Sequence, residues 1–306
     1  MKIFLAGATG AAGQALILLL TSHGHTVVGT TRSPSKTGLL RGLGAEAVVV
    51  DGLDRDGIRA AVATTRPDAI IHEMTALGGD LDLRKFERSF AATNRLRTEG
   101  TDHLLEAARE TGVERFIAQS YGAWPYIREG GPVKTEDDPL DPDPPKQVRT
   151  TLAAIRHLES AVTGAGGIAL RYGGFYGADN DGLVGPVRKR QYPIVGDGGG
   201  IASFIHLDDA AAATVLAVER GRPGLYNVVD DDPAPVREWL PVLARVLEAK
   251  PPRRFPRWLA RLFAGDAAVM MGTESRGASN AKAKRELGWQ LRYPSWRQGF
   301  AAVYAG

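Results

Sequence analysis

The stretch that decides the fold is Lys2-Ile3-Phe4-Leu5-Ala6-Gly7-Ala8-Thr9-Gly10-Ala11-Ala12-Gly13. A short apolar run gives way to three evenly spaced glycines, and an apolar helical pattern succeeds them over Ala11–Ser22. The first glycine permits a tight turn, Gly10 lets a pyrophosphate approach the backbone, and Gly13 lets the helix pack closely on the strand. The helix N-terminus then offers free N–H groups and the positive end of its dipole to phosphates. A merely tight turn needs one glycine and leaves the other two unexplained. The stretch therefore predicts nucleotide binding through Gly7, Thr9, Gly10, Ala11, Ala12 and Gly13.

Outward from this unit, strand and helix patterns alternate. Residues 25–30 read as a strand, 35–43 as a weak helix and 45–50 as a strand. A helix comes next over 54–65 with Asp54 as its N-cap, then a buried strand at 68–72. Helical periodicity over 83–111 closes at Gly112, which suits a left-handed cap. Strands at 115–119 and 167–171 flank a helix over 147–163. Such alternation requires right-handed crossovers and a parallel sheet buried on both faces. The predicted class is α/β, a doubly wound parallel sheet of Rossmann type.

Residues 1–172 are expected to form the dinucleotide-binding domain, with 203–229 returning to it through a helix at 208–219 and a strand at 225–228. After Arg171 the rhythm breaks. Brief strands near 192–195 and 202–205 and helices over 236–249, 257–263 and 280–287 read as a smaller, discontinuous substrate domain within 173–306. It is expected to lie across the carboxyl ends of the strands, where open α/β sheets bind ligands. The acidic, proline-bearing stretch 135–145 reads as a solvated connection.

Composition narrows the classes of function. Of the 306 residues, 43 % are hydrophobic and 24 % charged, as in soluble globular proteins with a substantial core. A net charge of +3 gives little of the electrostatic footprint of a nucleic-acid binder. With no cysteine, disulfides, thiol catalysis and thiolate metal sites are excluded. The longest apolar run, 15–20, is too short to span a bilayer, and no signal-peptide pattern precedes the first strand. A cytoplasmic enzyme acting on a small molecule is the expectation, with no metal and neither nucleic acid nor membrane as partner.

Cofactor choice is read at the end of the second strand. NAD selection calls for a carboxylate about 20 residues beyond the glycine turn. Here the residues are Thr30-Thr31-Arg32-Ser33, where Arg32 can pair with a 2′-phosphate and Ser33 can donate to it. NADP is expected, with NAD as the alternative.

In order along the chain, these motifs resemble the extended short-chain dehydrogenase/reductases, the nucleotide-sugar epimerases and dehydratases among them. The resemblance rests on Gly7-x-x-Gly10-x-x-Gly13, Asp51-Gly52-Leu53, the run Ile71 to Ala76, Thr93-Asn94 with Gly100-Thr101, and Arg115 to Ser120. It continues through Leu170 to Gly177, Gly196-Asp197-Gly198, Phe204 to Asp209 and Glu286-Leu287-Gly288-Trp289. It implies cofactor contacts at Asp51 and Gly52 beside the adenine, and at Met74, Thr75, Ala76, Asn94 and Tyr172. Substrate contacts are implied at Phe175, Tyr176 and His206, and a homodimer through the long central helix and the 147–163 helix.

The chain departs from this family at the chemistry. The family uses a tyrosine followed four residues on by a lysine; the tyrosine moves a proton, and the ammonium lowers its pKa and holds the nicotinamide ribose. No tyrosine here has that lysine. Alignment through Glu159 puts Thr151 and Ile155 in the two places. Tyr121, just past the fifth strand, has the chemical type of a relocated acid, with Ser120 beside it; Tyr126 and Lys134 are weaker candidates. A packing role for Tyr121 is the competing reading.

Other features read as structural. Asp208 and Asp209 suit an N-cap and first helical turn. Asp179-Asn180-Asp181-Gly182 resembles a calcium loop, but Leu183 and Arg190 stand where oxygen ligands belong. Arg253, Arg254, Arg257 and Arg261, interleaved with Phe255, Trp258 and Leu262, read as an amphipathic helix packed on the second domain. The leading expectation is an atypical reductase or epimerase for a small carbonyl, alcohol or sugar. The alternatives are a cofactor-binding regulator without hydride chemistry, or a lyase, isomerase or cyclase on the same scaffold.

Overall fold

The protein is described by a computed structural model covering residues 1–77, 86–177 and 182–305. The first three residues of the 83–111 helical pattern, and Asp179 to Asp181 of the calcium-loop look-alike, lie outside the described residues.

Seven strands make one parallel sheet: β1 (Lys2–Ala6), β2 (Thr26–Thr31), β3 (Glu46–Val49), β4 (Ala69–His72), β5 (Arg115–Tyr121), β6 (Ile168–Tyr172) and β7 (Gly224–Val228). Their order across the sheet is β7-β6-β5-β4-β1-β2-β3. The order reverses at β1, so the turn after β1 opens at the switch point where such sheets bind ligands. Side chains alternate across the sheet as the pleat demands. Ile3, Leu5, Ile71, Ile117 and Leu170 face one core, and Phe4, Ala6, Ile70, Phe116 and Ala169 the other. The first core is closed by α1 (Ala11–Ser22) and the helix Leu207–Arg220. The second is closed by α2 (Arg55–Thr65), α4 (Thr101–Thr111) and α5 (Arg149–Gly164), while α3 (Phe86–Arg95) packs on α5. Asp54 caps α2 by accepting from the Gly57 N–H at 3.0 Å, and Gly112 ends α4 at φ 74°. Between α3 and α4, Leu96–Gly100 forms a π-turn where the periodicity predicts one continuous helix.

A third core gathers Tyr176, Phe204, Trp239, Trp296 and Phe300 outside the sheet. Several expectations for this half need correction. Two short strands, Ile201–Ala202 and Phe204–His206, replace the single one near 202–205, and a terminal helix, Trp296–Tyr304, joins those the pattern predicts. The arginine-rich helix runs over Arg257–Thr273 and breaks at Gly265 (φ 82°). It packs through Ala260, Ala267, Val269 and Met270, while Trp258 and Leu262 are 67 % and 72 % exposed, so the face expected to pack is outside. The 135–145 connection is not merely solvated. Glu136 accepts the Asn227 N–H of edge strand β7 at 2.7 Å, and Asp141 pairs with Arg128 at 2.9 Å. No helix among the described residues is long and apolar enough to cross a membrane.

Candidate active site

Because the seven strands are parallel, the segments that leave their carboxyl ends collect along one edge of the sheet. The glycine turn sits at its centre. Gly7 takes φ +93°, and a Cβ there would stand 2.5 Å from the Glu73 carbonyl carbon. A Cβ on Gly13 would stand 2.5 Å from the Gly7 oxygen. Both positions therefore exclude side chains so that strand, turn and helix can close up. Gly10 differs: a Cβ there meets only the Gly7 oxygen, at 3.4 Å, and otherwise points into open space before the helix. The first helical bond runs from Gln14 to the Gly10 carbonyl, and no side chain caps α1. The N–H groups of Ala11, Ala12 and Gly13 thus face that space with no intrahelical acceptor. This cradle, a backbone concavity at the positive end of a helix dipole, fits a diphosphate.

The β2 and β3 ends form one flank. Thr30 and Thr31 are buried, and Thr30 Oγ1 accepts the Gly7 N–H at 3.3 Å, which ties β2 to the turn. Arg32 comes next, exposed, with no hydrogen bond or ion pair among the described residues. The Ser33 and Ser35 hydroxyls meet at 2.8 Å. Asp51 holds its own loop, accepting from Leu53 N–H at 2.9 Å. Gly52 faces the Met74 side chain closely enough that a Cβ would collide with it. Thr75 is exposed, and Ala76 N–H donates to Thr93 Oγ1 at 3.0 Å.

The β4–β5 side holds Tyr121 and the Thr151 and Ile155 positions. Asn94 donates its side-chain amide to the Thr151 hydroxyl at 3.0 Å, joining α3 to α5, and Ile155 below is fully buried. Tyr121 is half-buried at the end of β5, its ring 6.2 Å from Trp124. Burial pushes its phenol up to about 12, with Tyr192 adding and Arg97 opposing, so it is neutral at ordinary pH. Phe86 stacks on Phe90 at 4.3 Å and meets Trp124 edge-on, and Met270 closes the cluster. An aromatic wall thus lines this part of the edge.

Several of the expected site residues are committed elsewhere. Ser120 is buried and donates to Glu159 at 2.6 Å; Glu159 is in turn locked to Arg171 by two 2.7 Å bonds. Its hydroxyl belongs to a core network, and the same network takes Tyr126, which donates to Asn227. Tyr172 lies beneath the edge, donating to Glu73 at 3.1 Å and meeting Thr214 at 2.5 Å. Tyr176 is fully buried in the third core, its ring against Phe300 and His206. His206, not Asp208 or Asp209, is the N-cap of Leu207–Arg220: its Nδ1 accepts the Asp208 N–H at 3.1 Å. Asp209 instead accepts the N–H groups of Arg292 and Tyr293, fastening the C-terminal segment. Lys134 donates to the Glu129 carbonyl at 2.7 Å and pairs with Asp138. Phe175 is half-buried against Tyr172.

Comparison with known proteins places this arrangement. The model of the NAD dependent epimerase/dehydratase family matches residues 3–228. The chain belongs to that family. A Streptomyces protein named 3-diazoavenalumate denitrifying reductase is 41 % identical over 98 % of this chain and 99 % of its own. Two solved structures share the fold at lower identity. A UDP-glucose 4-epimerase from Thermotoga maritima with UDP-glucose has a TM-score of 0.79 at 20 % identity, covering 99 % of this chain and 97 % of its own. A human epimerase family protein with NADPH has 0.77 at 18 %, covering 99 % of each.

Within an epimerase/dehydratase scaffold, two groups stand out that sequence reading missed. Glu73, the residue after β4, is 5 % exposed; burial lifts its carboxyl to about 8 against a lowering bond from Tyr172, and Oε2 has no partner among the described residues. Arg97, in the π-turn, is 5 % exposed, and its Nη1 has no partner among the described residues. A sequence signal for Arg97 exists. It lies four after Thr93, three before Gly100 and seven before Leu104, on the stripe that the helix buries.

Proposed function

We propose that this chain is a pyridine-nucleotide-dependent reductase that acts on a diazo compound and releases dinitrogen. The observation that carries the reading is the pair Thr151 and Ile155 where this family's tyrosine and lysine are expected. Neither exchanges a proton at neutral pH. When bound, a reduced nicotinamide supplies hydride, and a diazonium carbon that exchanges dinitrogen for hydride needs no proton donor. A hydride site without the usual acid therefore suits the chemistry named for the Streptomyces relative.

The remaining residues take binding roles. Gly7, Thr9, Gly10 and the N–H groups of Ala11, Ala12 and Gly13 hold the diphosphate. The free guanidinium of Arg32, with Ser33, takes a 2′-phosphate, so NADP is preferred over NAD. Asp51 and Gly52 border the adenine, Met74 to Ala76 and Asn94 the nicotinamide half. Residues 1–172 with 203–229 serve as the cofactor domain, and the rest of 173–306 as the substrate domain, with Phe175 on its border.

The test is to incubate the protein with NADPH and 4-hydroxybenzenediazonium, beside a protein-free control. Catalysed nicotinamide oxidation with matching phenol formation is the expected result, and deuteride from labelled cofactor should appear in the product. Oxidation with a panel of aldehydes and ketones but not with the diazonium would sink the proposal. One observation favours a second reading, carbonyl reduction with Tyr121 as acid: its hydroxyl is neutral and has no partner among the described residues.

A further inference from the structure

Arg97 presents a physical problem that the fold does not solve. It is 5 % exposed, and among the described residues Nη1 has no hydrogen-bond partner and no carboxylate pairs with the guanidinium. Burial lowers its pKa only to about 10, so it stays a cation at neutral pH. A buried, unpaired charge is costly, and proteins keep such groups paired or functional. Arg171, the other buried arginine among the described residues, is clamped by Glu159.

Its placement is built. The π-turn Leu96–Gly100 sits between α3 and α4 and packs on α5, and Thr101 Oγ1 holds the Arg97 carbonyl at 2.8 Å. Such turns recur at functional sites because they re-aim a side chain within a helix. One helical turn before it, Asn94 meets Thr151, and the turn that carries Arg97 continues along α5. The Arg97 charge is felt by Tyr121 at the end of β5 and by His72 at the end of β4, and the Glu159 carboxylate supports it from a distance without an ion pair. Arg97 therefore lies near Tyr121, one member of the aromatic wall of Phe86, Phe90, Tyr121 and Trp124.

We propose that Arg97 is the anion-recognition group of the crevice and that the substrate is an aromatic carboxylate, its ring on this wall and its carboxylate on the guanidinium. A carboxylate is ionised at neutral pH, and its two oxygens match the guanidinium fork. Phe90 and Tyr121, the half-buried members of the wall, are the rings left to meet a planar substrate ring, with Phe86 and Trp124 buried behind them. This inference rests on the crevice being the reductase site, but its test uses no turnover. Failure to reduce a diazonium would leave it standing, and failure of the binding test would leave the reductase reading standing.

The experiment is calorimetric titration of the protein, saturated with NADP, with 4-hydroxybenzoate and with its methyl ester. The wild-type protein should bind the acid roughly 10- to 100-fold more tightly than the ester. Arg97→Gln should erase that preference, leave NADP affinity within about twofold, and raise the Tm of the unliganded protein because a buried charge is gone. Arg97→Lys should restore part of the preference. Equal binding of acid and ester by the wild type overturns the proposal without any variant. So does an Arg97→Gln protein that keeps the preference, or one that loses NADP affinity, which would assign the guanidinium to the cofactor.

Discussion

The Asn94 amide and the Thr151 hydroxyl meet at 3.0 Å across α3 and α5, and Thr151 is the residue that sequence reading through Glu159 expects at this family's tyrosine position. A threonine hydroxyl does not ionise near neutral pH, and this one already accepts a hydrogen bond. Thr151→Val, which keeps the shape, should cost far less than the roughly 10²–10⁴-fold that loss of a general acid costs. Steady-state turnover with NADPH checks this; a loss in that range would make Thr151 part of the chemistry after all.

Tyr121 separates the two functional readings. If dinitrogen is displaced without a proton donor, Tyr121→Phe should retain turnover within about tenfold, a packing change only. If the phenol protonates a carbonyl oxygen, the same variant should lose roughly 10²–10⁴-fold with cofactor affinity unchanged. We expect the first outcome.

Gly10→Val should fold and fail to bind the cofactor. Its Cβ meets only the Gly7 oxygen at 3.4 Å, so the branched side chain projects into the space before the α1 N-terminus. Melting curves should match the wild type within a few degrees without cofactor, and the stabilisation by added NADPH should disappear. A variant still stabilised by NADPH would mean that the turn holds no diphosphate.

Arg32→Ala should weaken NADPH much more than NADH, since one charge-assisted bond is worth roughly 1.5–3 kcal/mol. The guanidinium has no partner to lose among the described residues, so stability should not change. Fluorescence titration with both nucleotides decides it, and equal losses would refute the 2′-phosphate assignment.

Glu73 makes stability depend on pH. Its carboxyl is raised by burial from an ordinary 4.5 to about 8, so the folded protein holds a proton that the unfolded chain releases. That contribution is complete below about pH 4.5 and is lost as pH rises through about 8. Glu73→Gln keeps a neutral group beside Tyr172 and should flatten the fall of Tm across this window. An unchanged fall in the variant would place the titration elsewhere; Asp230, also raised to about 8, is the next candidate.

The sheet was legible because each strand carries its own short-range signature: an apolar run, a turn glycine or a cap such as Asp54. Strand β7 was legible for the same reason despite its distance along the chain. The commitments of polar side chains were not. Ser120 meets a glutamate 39 residues away and Tyr126 an asparagine 101 residues away, and no local pattern encodes such pairs. The ring chemistry of His206 suggests substrate contact, yet its backbone position makes it a cap. The exposed Trp258 shows the converse limit: an amphipathic pattern says that a helix has two faces, not which one the fold will cover.

The π-turn at Leu96–Gly100 also fixes how this helix pair relates to length. A π-turn is one residue more than an α-helix needs, and each residue turns the helix by about 100°. The wide turn takes up that residue, so the helix on either side keeps the register of an unbroken one. Deleting Thr98 should therefore fuse α3 and α4 with Asn94 still against Thr151, and should alter only the direction of the side chains within the turn, Arg97 among them. The surplus residue works as a cam on a straight shaft: it lifts one side chain out of its row and leaves the axis where it was.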